Sequence, residues 1–163
     1  MKKFEREEIK KLVDGMKTLP GVYKKRLYRA RYYGAAEIEF LLPDGLNEYE
    51  KAVFAAGFAL TAVQPAGAKT QTFVKAARKY LKNGVSNATT VLGELISWCI
   101  KGDMTSDSPA YRYLWRVLGL AKKLGVYTDP VDLIDTLLYF DDAKAEDFAN
   151  RLYFGKYFGE EED

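Results

Sequence analysis

The chain has 163 residues, of which 48% are apolar and 29% are charged, and its formal net charge is +2. This composition is ordinary for a folded globular protein and excludes a largely disordered one. There is no histidine and only one cysteine, which excludes histidine-based acid–base catalysis, a Ser-His-Asp or Cys-His nucleophile and an ordinary structural zinc site. No apolar run approaches the ~20 residues that span a bilayer, and the first eight residues lack the apolar core of a signal peptide. We therefore expect a cytoplasmic protein with no membrane partner.

Helix signals begin near the start of the chain. The first half of the sequence predicts helices over residues 4–16, 21–33, 35–42 and 48–63. Asn47 is the expected N-cap of the fourth helix, with Glu50 as its capping-box partner. That helix is mostly apolar and contains many small residues, which would let neighbouring helices approach closely. We expect it to be the central helix of the core.

Similar signals delimit the helices of the second half. They predict helices over residues 69–82, 87–101, 109–125, 130–140 and 143–158, followed by a disordered acidic tail at 159–163. The expected boundary residues are the N-caps Ser86, Ser108 and Asp129, the first-position prolines Pro109 and Pro130, and the closing glycines Gly84, Gly102 and Gly125. No segment alternates polar and apolar residues over the length of a strand, and no internal repeat is present.

These elements predict an all-α protein, a compact two-lobed helical bundle of about eight or nine helices. A chain of this length is expected to form one domain. We place that domain at residues 1–158, with lobes at roughly 1–84 and 85–158.

Basic and acidic residues are concentrated in different segments of the sequence, although the net charge is small. Residues 1–33 hold eleven Lys/Arg and four Asp/Glu, residues 69–101 hold six and one, and residues 108–125 hold four and none. Residues 129–163 hold three Lys/Arg against eleven Asp/Glu. The sharpest basic run, residues 22–33, interleaves cations with tyrosines. A basic stripe with aromatic residues is typical of a surface that binds a phosphate backbone.

Helical spacing resolves the basic segments into faces. Tyr23, Leu27 and Ala30 fall on the predicted core side of the second helix, whereas its cations lie opposite or beside them. The fifth and seventh helices each carry a predicted basic face, and like charges four residues apart repel unless an anion neutralises them. The candidate nucleic-acid-binding residues are Lys24, Lys25, Arg26, Arg29, Arg31, Lys69, Lys75, Arg78, Lys79, Lys82, Arg112, Arg116 and Lys123.

These features also have purely structural interpretations. A basic helical face is often only a solvated surface, the tyrosines can be packing residues, and the acidic C-terminal block can pair with the cations. The glycines follow no phosphate-binding pattern, and the acid pairs Glu37/Glu39 and Asp141/Asp142 are interpreted as surface charge. Cys99 lies in an apolar run and is expected to be a buried, inert thiol. We expect no catalytic residue, no metal site and no cofactor.

The C-terminal third carries the best match to a known family. It contains Leu114-Trp115-Arg116-Val117-Leu118, then Gly125-Val126, then an apolar stretch at 133–140 that ends in Phe140, with Phe148-Ala149 and Tyr153-Phe154 beyond it. Weaker matches are the apolar helix at 49–60, the loop at 67–70 before a basic helix, and the arginine-rich stretch at 24–31. In this pattern the chain resembles the CasB small subunit of the type I-E CRISPR Cascade complex. It departs from the family at Thr89-Thr90-Val91, where consecutive arginines are common.

The resemblance implies a non-catalytic helical subunit of an RNA-guided antiviral complex. CasB-like subunits form a head-to-tail pair along Cascade and help to hold the displaced DNA strand. The implied partners are the CRISPR RNA, the target and displaced DNA strands, the backbone and large subunits of Cascade, and a second copy of the chain. The predicted function is to bind nucleic-acid backbone without sequence preference and so stabilise the R-loop. The alternative is a helical protein–protein scaffold whose basic faces dock on acidic protein partners.

Overall fold

Helix accounts for 73% of the structure, which confirms the predicted all-α fold class. The computed structural model describes residues 3–82, 88–101, 105, 108–119, 124–141, 143–144, 146–147 and 150. Its α-helices are α1 (Arg6–Lys17), α2 (Gly21–Tyr33), α3 (Glu48–Val63), α4 (Phe73–Lys82), α5 (Ala88–Lys101), α6 (Pro109–Gly119) and α7 (Pro130–Leu138). A 3₁₀ helix (Ala35–Leu41) joins α2 to the loop before α3, and two short strands, β1 (Thr70–Gln71) and β2 (Tyr127–Thr128), pair with each other.

Local capping chemistry sets the helix boundaries, as the sequence predicts. The Asn47 side chain accepts a hydrogen bond from the Glu50 N–H at 2.8 Å, and the Glu50 carboxylate accepts one from the Asn47 N–H at 2.9 Å. The Ser108 hydroxyl accepts from the Tyr111 N–H at 3.4 Å, and the Asp129 carboxylate accepts from the Val131 N–H at 3.1 Å. These contacts satisfy amide groups that the first turn of a helix leaves without a partner.

Helix α3 is the centre of the core, as its composition predicts. Every residue from Ala52 to Leu60 is buried. The helices α1, α2 and α7 and the 3₁₀ helix pack around α3, and α6 contacts it as well. Because the middle of α3 is covered on every side, the elements that contact it are positioned around it, and α4 and α5 pack on the helices of this outer layer.

Helix α7 packs closely against α3 at Gly57. A Cβ atom placed on Gly57 would overlap the side chain of Ile134, which is fully buried. Glycine at this position therefore allows the two helices to come together. Helix α7 is also tied to α1, because the Arg6 guanidinium lies 3.3 Å from the Asp135 carboxylate and 3.7 Å from that of Asp132.

The pair of two-residue strands is the element that the sequence does not predict. Thr70 pairs with Tyr127 and Gln71 with Thr128 in a parallel register. The fifth predicted helix consequently begins at Phe73 rather than at residue 69. Two paired residues are too short to produce an alternating pattern, and a parallel pair depends on contacts between distant parts of the chain.

The remaining boundaries shift by at most two residues where the structure describes them. Helix α1 is Arg6–Lys17 and α7 is Pro130–Leu138, whereas the predictions were 4–16 and 130–140. The predicted caps Ser86, Gly84 and Gly102 lie outside the described residues, as do residues 120–123 and the tail at 159–163. The buried apolar residues form one cluster that includes members from both predicted lobes, such as Phe54 and Leu133.

We predict that Gly57→Ala destabilises the fold by about 1–3 kcal/mol, because the added methyl group overfills the contact with Ile134. Chemical denaturation followed by circular dichroism measures the change. Gly93→Ala is the matched control, since Gly93 lies in α5 with open space around its Cβ position. That control is expected to stabilise the fold by about 0.5–1 kcal/mol. Equal effects of the two substitutions would contradict the close contact between α3 and α7.

Candidate nucleic-acid interface

Helix α2 presents two different flanks on either side of its buried face. Leu27 and Ala30 are fully buried against the core. Lys24, Tyr28 and Arg31 follow at intervals of four and three residues and share one flank. Arg26, Arg29 and Tyr33, at intervals of three and four, share the other flank. The basic run of the sequence is therefore divided between two surfaces.

The first flank of α2 borders a cleft of about 610 Å³, which we call the lysine cleft. Its cations are Lys17 at the end of α1 and Lys24 and Lys25 in α2. The opposite wall is the last turn of α3 with the loop at residues 64–68, and Asp129 and Pro130 contribute from the start of α7. Three ammonium groups thus converge on one depression from two helices.

A second cleft of about 500 Å³, the tryptophan cleft, adjoins the first. It is lined by Arg31 from α2, Trp115 and Leu118 from α6, and Tyr127 from β2. The residues common to both linings are Tyr28, Leu60, Ala62, Gln64 and Pro65. We refer to the two clefts together as the α2 groove.

Hydrogen bonds between distant segments hold the walls of the α2 groove. The Gln64 side chain donates to the Thr128 carbonyl at 3.0 Å and accepts from the Thr128 N–H at 3.0 Å, so it pairs with β2 as a third strand would. The Tyr111 hydroxyl donates to the Ala30 carbonyl at 2.7 Å and fixes α6 against α2. Each such bond contributes about 1 kcal/mol.

The α2 groove carries excess positive charge. Within the described part of the chain, Lys24, Lys25 and Arg31 have no ion-pair partner. Lys17 lies 3.9 Å from Asp14, at the outer limit of an ion pair. The lining carboxylate, Asp129, is occupied as the N-cap of α7 and lies 3.9 Å from Arg6. An external anion would meet uncompensated cations here.

Aromatic rings accompany these cations. Tyr28 is 45% exposed, and its ring centroid lies 5.9 Å from that of Tyr32. The Arg31 guanidinium lies over two rings, 5.2 Å from the centroid of Tyr32 and 5.8 Å from that of Trp115. Trp115 itself is almost fully buried at the floor of the groove. The arrangement combines cations with flat apolar faces, which is the chemistry that binds single-stranded nucleic acid.

The second flank of α2 has a different character. The Arg26 guanidinium lies 5.3 Å from the Phe40 ring centroid, and Phe40 is 56% exposed. Tyr23 packs on Phe40 at 5.9 Å and is itself 38% exposed, so the prediction that Tyr23 belongs to the core is wrong. The reason is that the 3₁₀ helix brings Phe40 to this side and leaves Tyr23 at the rim. We call this surface the Phe40 face.

Arg29 is neutralised on this flank. Its guanidinium lies 3.2 Å from the Glu37 carboxylate and 5.5 Å from the Tyr33 ring centroid. The neighbouring acid Glu39 pairs with Lys51 at 2.9 Å. Glu37 and Glu39 therefore act as separate surface charges, as predicted, and Arg29 contributes less positive potential than its sequence position suggests.

The predicted basic face of α4 is corrected by the structure. Arg78 is only 4% exposed and Lys75 and Lys79 are half-buried, so this helix does not present an open row of cations. Helix α4 contacts α5, α7 and β2, which cover more of its surface than a one-sided amphipathic pattern predicts. Lys69 is exposed beside the lysine cleft but does not line it. The side chain of Lys82 lies outside the described residues.

The predicted basic face of α6 is exposed where it is described. Arg112 and Arg116 lie on the solvent side of α6, opposite Leu114 and Val117, which are buried. The Arg116 guanidinium lies 6.0 Å from the Tyr113 ring centroid. Neither arginine has an ion-pair partner among the residues that the structure describes. Lys123 lies outside those residues.

Several residues of the α2 groove are not predicted from the sequence. Lys17 belongs to a helix whose other cations point elsewhere, and Gln64 follows α3 without any motif. Trp115 enters the sequence-based predictions only within the family match, and Tyr127 is not among them. Their common role depends on contacts between distant segments, such as those between Gln64 and Thr128 and between Arg31 and Trp115. The available signal was the interleaving of tyrosines with cations in α2.

The chain has no match among family models, curated proteins or solved structures. Over its described residues, none of the helices is long and apolar enough to cross a membrane. The same residues contain no group of three or more histidine, cysteine or acidic side chains arranged to hold a metal ion.

Cys99 is buried, as predicted, in contact with the core rather than with the α2 groove. Burial raises the pKa of its thiol to about 12, and a hydrogen bond with Tyr49 lowers it only in part. The Tyr49 hydroxyl donates to the Leu137 carbonyl at 2.6 Å, and burial raises the pKa of this phenol too. Neither group is ionised near neutral pH, so neither supplies a nucleophile.

We predict that Cys99 in the native chain resists alkylation by a maleimide at pH 8, with a rate at least about 100-fold below that of the unfolded chain. The thiolate is the reactive form, and an exposed cysteine has a pKa of ~8.5. Mass spectrometry of timed samples, with and without denaturant, measures the two rates. Prompt labelling of the native chain would show that the thiol is accessible and contradict its burial.

Proposed function

We propose that the chain binds the phosphate backbone of nucleic acid along the α2 groove, without sequence preference. The observation that carries this proposal is a set of three cations, Lys24, Lys25 and Arg31, that have no ion-pair partner among the described residues and share one groove with the exposed ring of Tyr28. Phosphate contacts supply affinity but carry no sequence information. A groove of this kind suits a strand that has already been selected by base pairing elsewhere.

The biological setting that we propose is the small subunit of a CRISPR RNA-guided complex of the Cascade type. This part of the proposal rests on the sequence resemblance to CasB described above. In that setting the subunit stabilises the R-loop by holding the displaced strand, and its partners are the CRISPR RNA, the target DNA and the other Cascade subunits. The acidic block at residues 129–163 would contact a basic surface of a second copy in a heterologous interface.

A second candidate function is favoured by the Phe40 face. It presents three exposed aromatic rings, those of Tyr23, Tyr33 and Phe40, beside the guanidinium groups of Arg26 and Arg29. Aromatic and arginine side chains are enriched where proteins bind each other. A helical scaffold that docks on acidic protein partners through this face is therefore the alternative.

We predict that the isolated chain binds a single-stranded oligonucleotide with an affinity that falls as salt rises. If the groove neutralises about three phosphates, the slope of log K against log salt is about −2. Lys24→Glu with Lys25→Glu should weaken binding about tenfold or more at low salt, because the reversal places two anions in the lysine cleft. Fluorescence anisotropy of a labelled oligonucleotide measures both effects.

The matched control is Lys11→Glu with Lys101→Glu, which makes the same change in net charge at exposed positions outside the groove. The control should reduce affinity by less than the groove pair does. Equal losses would show that overall charge, and not the α2 groove, drives binding. Wild-type protein that binds no oligonucleotide but retains acidic protein partners would favour the scaffold alternative.

We predict that Arg116→Glu shortens the residence time of target DNA on a reconstituted Cascade-type complex, while the subunit keeps its fold. Arg116 is exposed and has no ion-pair partner among the described residues, so its reversal changes surface charge without opening the core. Single-turnover dissociation measures the residence time, and thermal melting of the isolated subunit checks the fold. A variant that melts early would show that Arg116 is structural, and an unchanged residence time would remove it from the interface.

A further inference from the structure

We infer that Tyr28 stacks on an unpaired base and thereby gives the α2 groove a preference for single strands over duplexes. This inference rests on the proposed function, because it assigns a second contact to the same groove. A site that contacts only the phosphate backbone would bind any strand with a similar phosphate spacing. Stacking on Tyr28 would add a preference that backbone contacts alone do not give. Tyr28 becomes the residue that determines which form of nucleic acid is bound.

The position of Tyr28 supports this role. It lines both the lysine cleft and the tryptophan cleft and so stands at the junction of the cationic part and the aromatic part. A nucleotide bound across that junction would place its phosphate beside Lys24 and Lys25 and its base beside the ring of Tyr28. Stacking on an aromatic ring tolerates every base, since each base has a flat π-face.

The surroundings of Tyr28 keep its ring available. The ring packs at a tilt against the Tyr32 ring, with 5.9 Å between the centroids and 59° between the planes, and the neighbouring Tyr32 phenol raises the pKa of Tyr28. Arg31 holds Tyr32 from the other side at 5.2 Å and is itself supported on Trp115. Both tyrosines nevertheless stay exposed, at 45% for Tyr28 and 61% for Tyr32. The exposed part of the Tyr28 ring is therefore accessible to a ligand, and its position at the junction of the two clefts distinguishes it from other exposed tyrosines such as Tyr33.

The physical basis of the preference is that stacking requires a free base face. In a duplex both faces of each base are covered by its neighbours, so Tyr28 gains nothing from a paired strand. Phosphates are present in both forms, so the lysines contribute to the binding of either. The difference between single strand and duplex should therefore depend on the ring of Tyr28 and persist when its hydroxyl is removed.

The experiment compares three ligands, a 15-nucleotide oligothymidine, a duplex of the same length and inorganic polyphosphate. We expect Tyr28→Ala to weaken oligothymidine binding about tenfold and to leave polyphosphate binding unchanged. Tyr28→Phe keeps the ring and should bind like the wild type. Tyr33→Ala is the matched control, because Tyr33 is an exposed tyrosine (65%, against 45% for Tyr28) on the opposite flank of α2. It should leave all three affinities unchanged.

The outcomes separate the inference from the proposal on which it rests. If Tyr28→Ala weakens oligothymidine and polyphosphate binding equally, or if Tyr28→Phe is as weak as Tyr28→Ala, the ring does not stack on a base and the inference fails. The proposed backbone binding would survive either result, provided that reversal of Lys24 and Lys25 weakens the wild-type affinity. If the wild type binds none of the three ligands, both are overturned. Thermal melting of each variant confirms that the compared proteins are folded.

Discussion

The complete burial of the middle of α3 is the constraint on which the rest of the structure depends. Because no residue from Ala52 to Leu60 reaches solvent, the neighbouring helices must be arranged around this axis. The small residues of α3, and Gly57 above all, make that arrangement possible by letting α7 approach. The helix leaves the core at both ends, and the α2 groove lies at its last turn, where residues 61–63 are half-buried. The position of the α2 groove is therefore set by the C-terminal end of α3.

The α2 groove lies beside the C-terminal end of α3, which disfavours the binding of an anion. The cations of the groove outweigh this effect. The C-terminal end of a helix carries the equivalent of roughly half a negative charge, which disfavours an anion beside α3. Lysine near such an end is favourable even without a ligand, so part of the role of Lys24 and Lys25 is structural. Lys17 and Arg31 add to these, however, and among the described residues the lining contains a single carboxylate, that of Asp129. Four cations exceed one carboxylate and one helix end, and the groove keeps a positive potential for an external anion.

The sequence predicts those features that arise from nearby residues and misses those that join distant ones. Helix caps such as Asn47 and Asp129 act within three residues, and the bounds of α2 and α3 agree with prediction. The burial of Arg78 was missed because a helical face is read from one segment alone, whereas α4 is covered by α5, α7 and β2 together. The floor of the groove was missed for the same reason, since Trp115 and Tyr127 meet α2 only in the folded chain.

The two flanks of α2 explain why charge in this chain supports two functions at once. Along the sequence the cations from Lys24 to Arg31 form one run, but Leu27 and Ala30 divide them when the helix packs. On the groove side the cations keep no acidic partner within the described residues and suit a polyanion. On the Phe40 face Glu37 neutralises Arg29, and the rings of Tyr23 and Phe40 dominate, which suits a protein surface. Because the flanks are separate, nucleic acid in the groove would leave the Phe40 face open to a protein partner. The strand-holding subunit that we propose would use the groove for nucleic acid and the Phe40 face for a neighbouring protein.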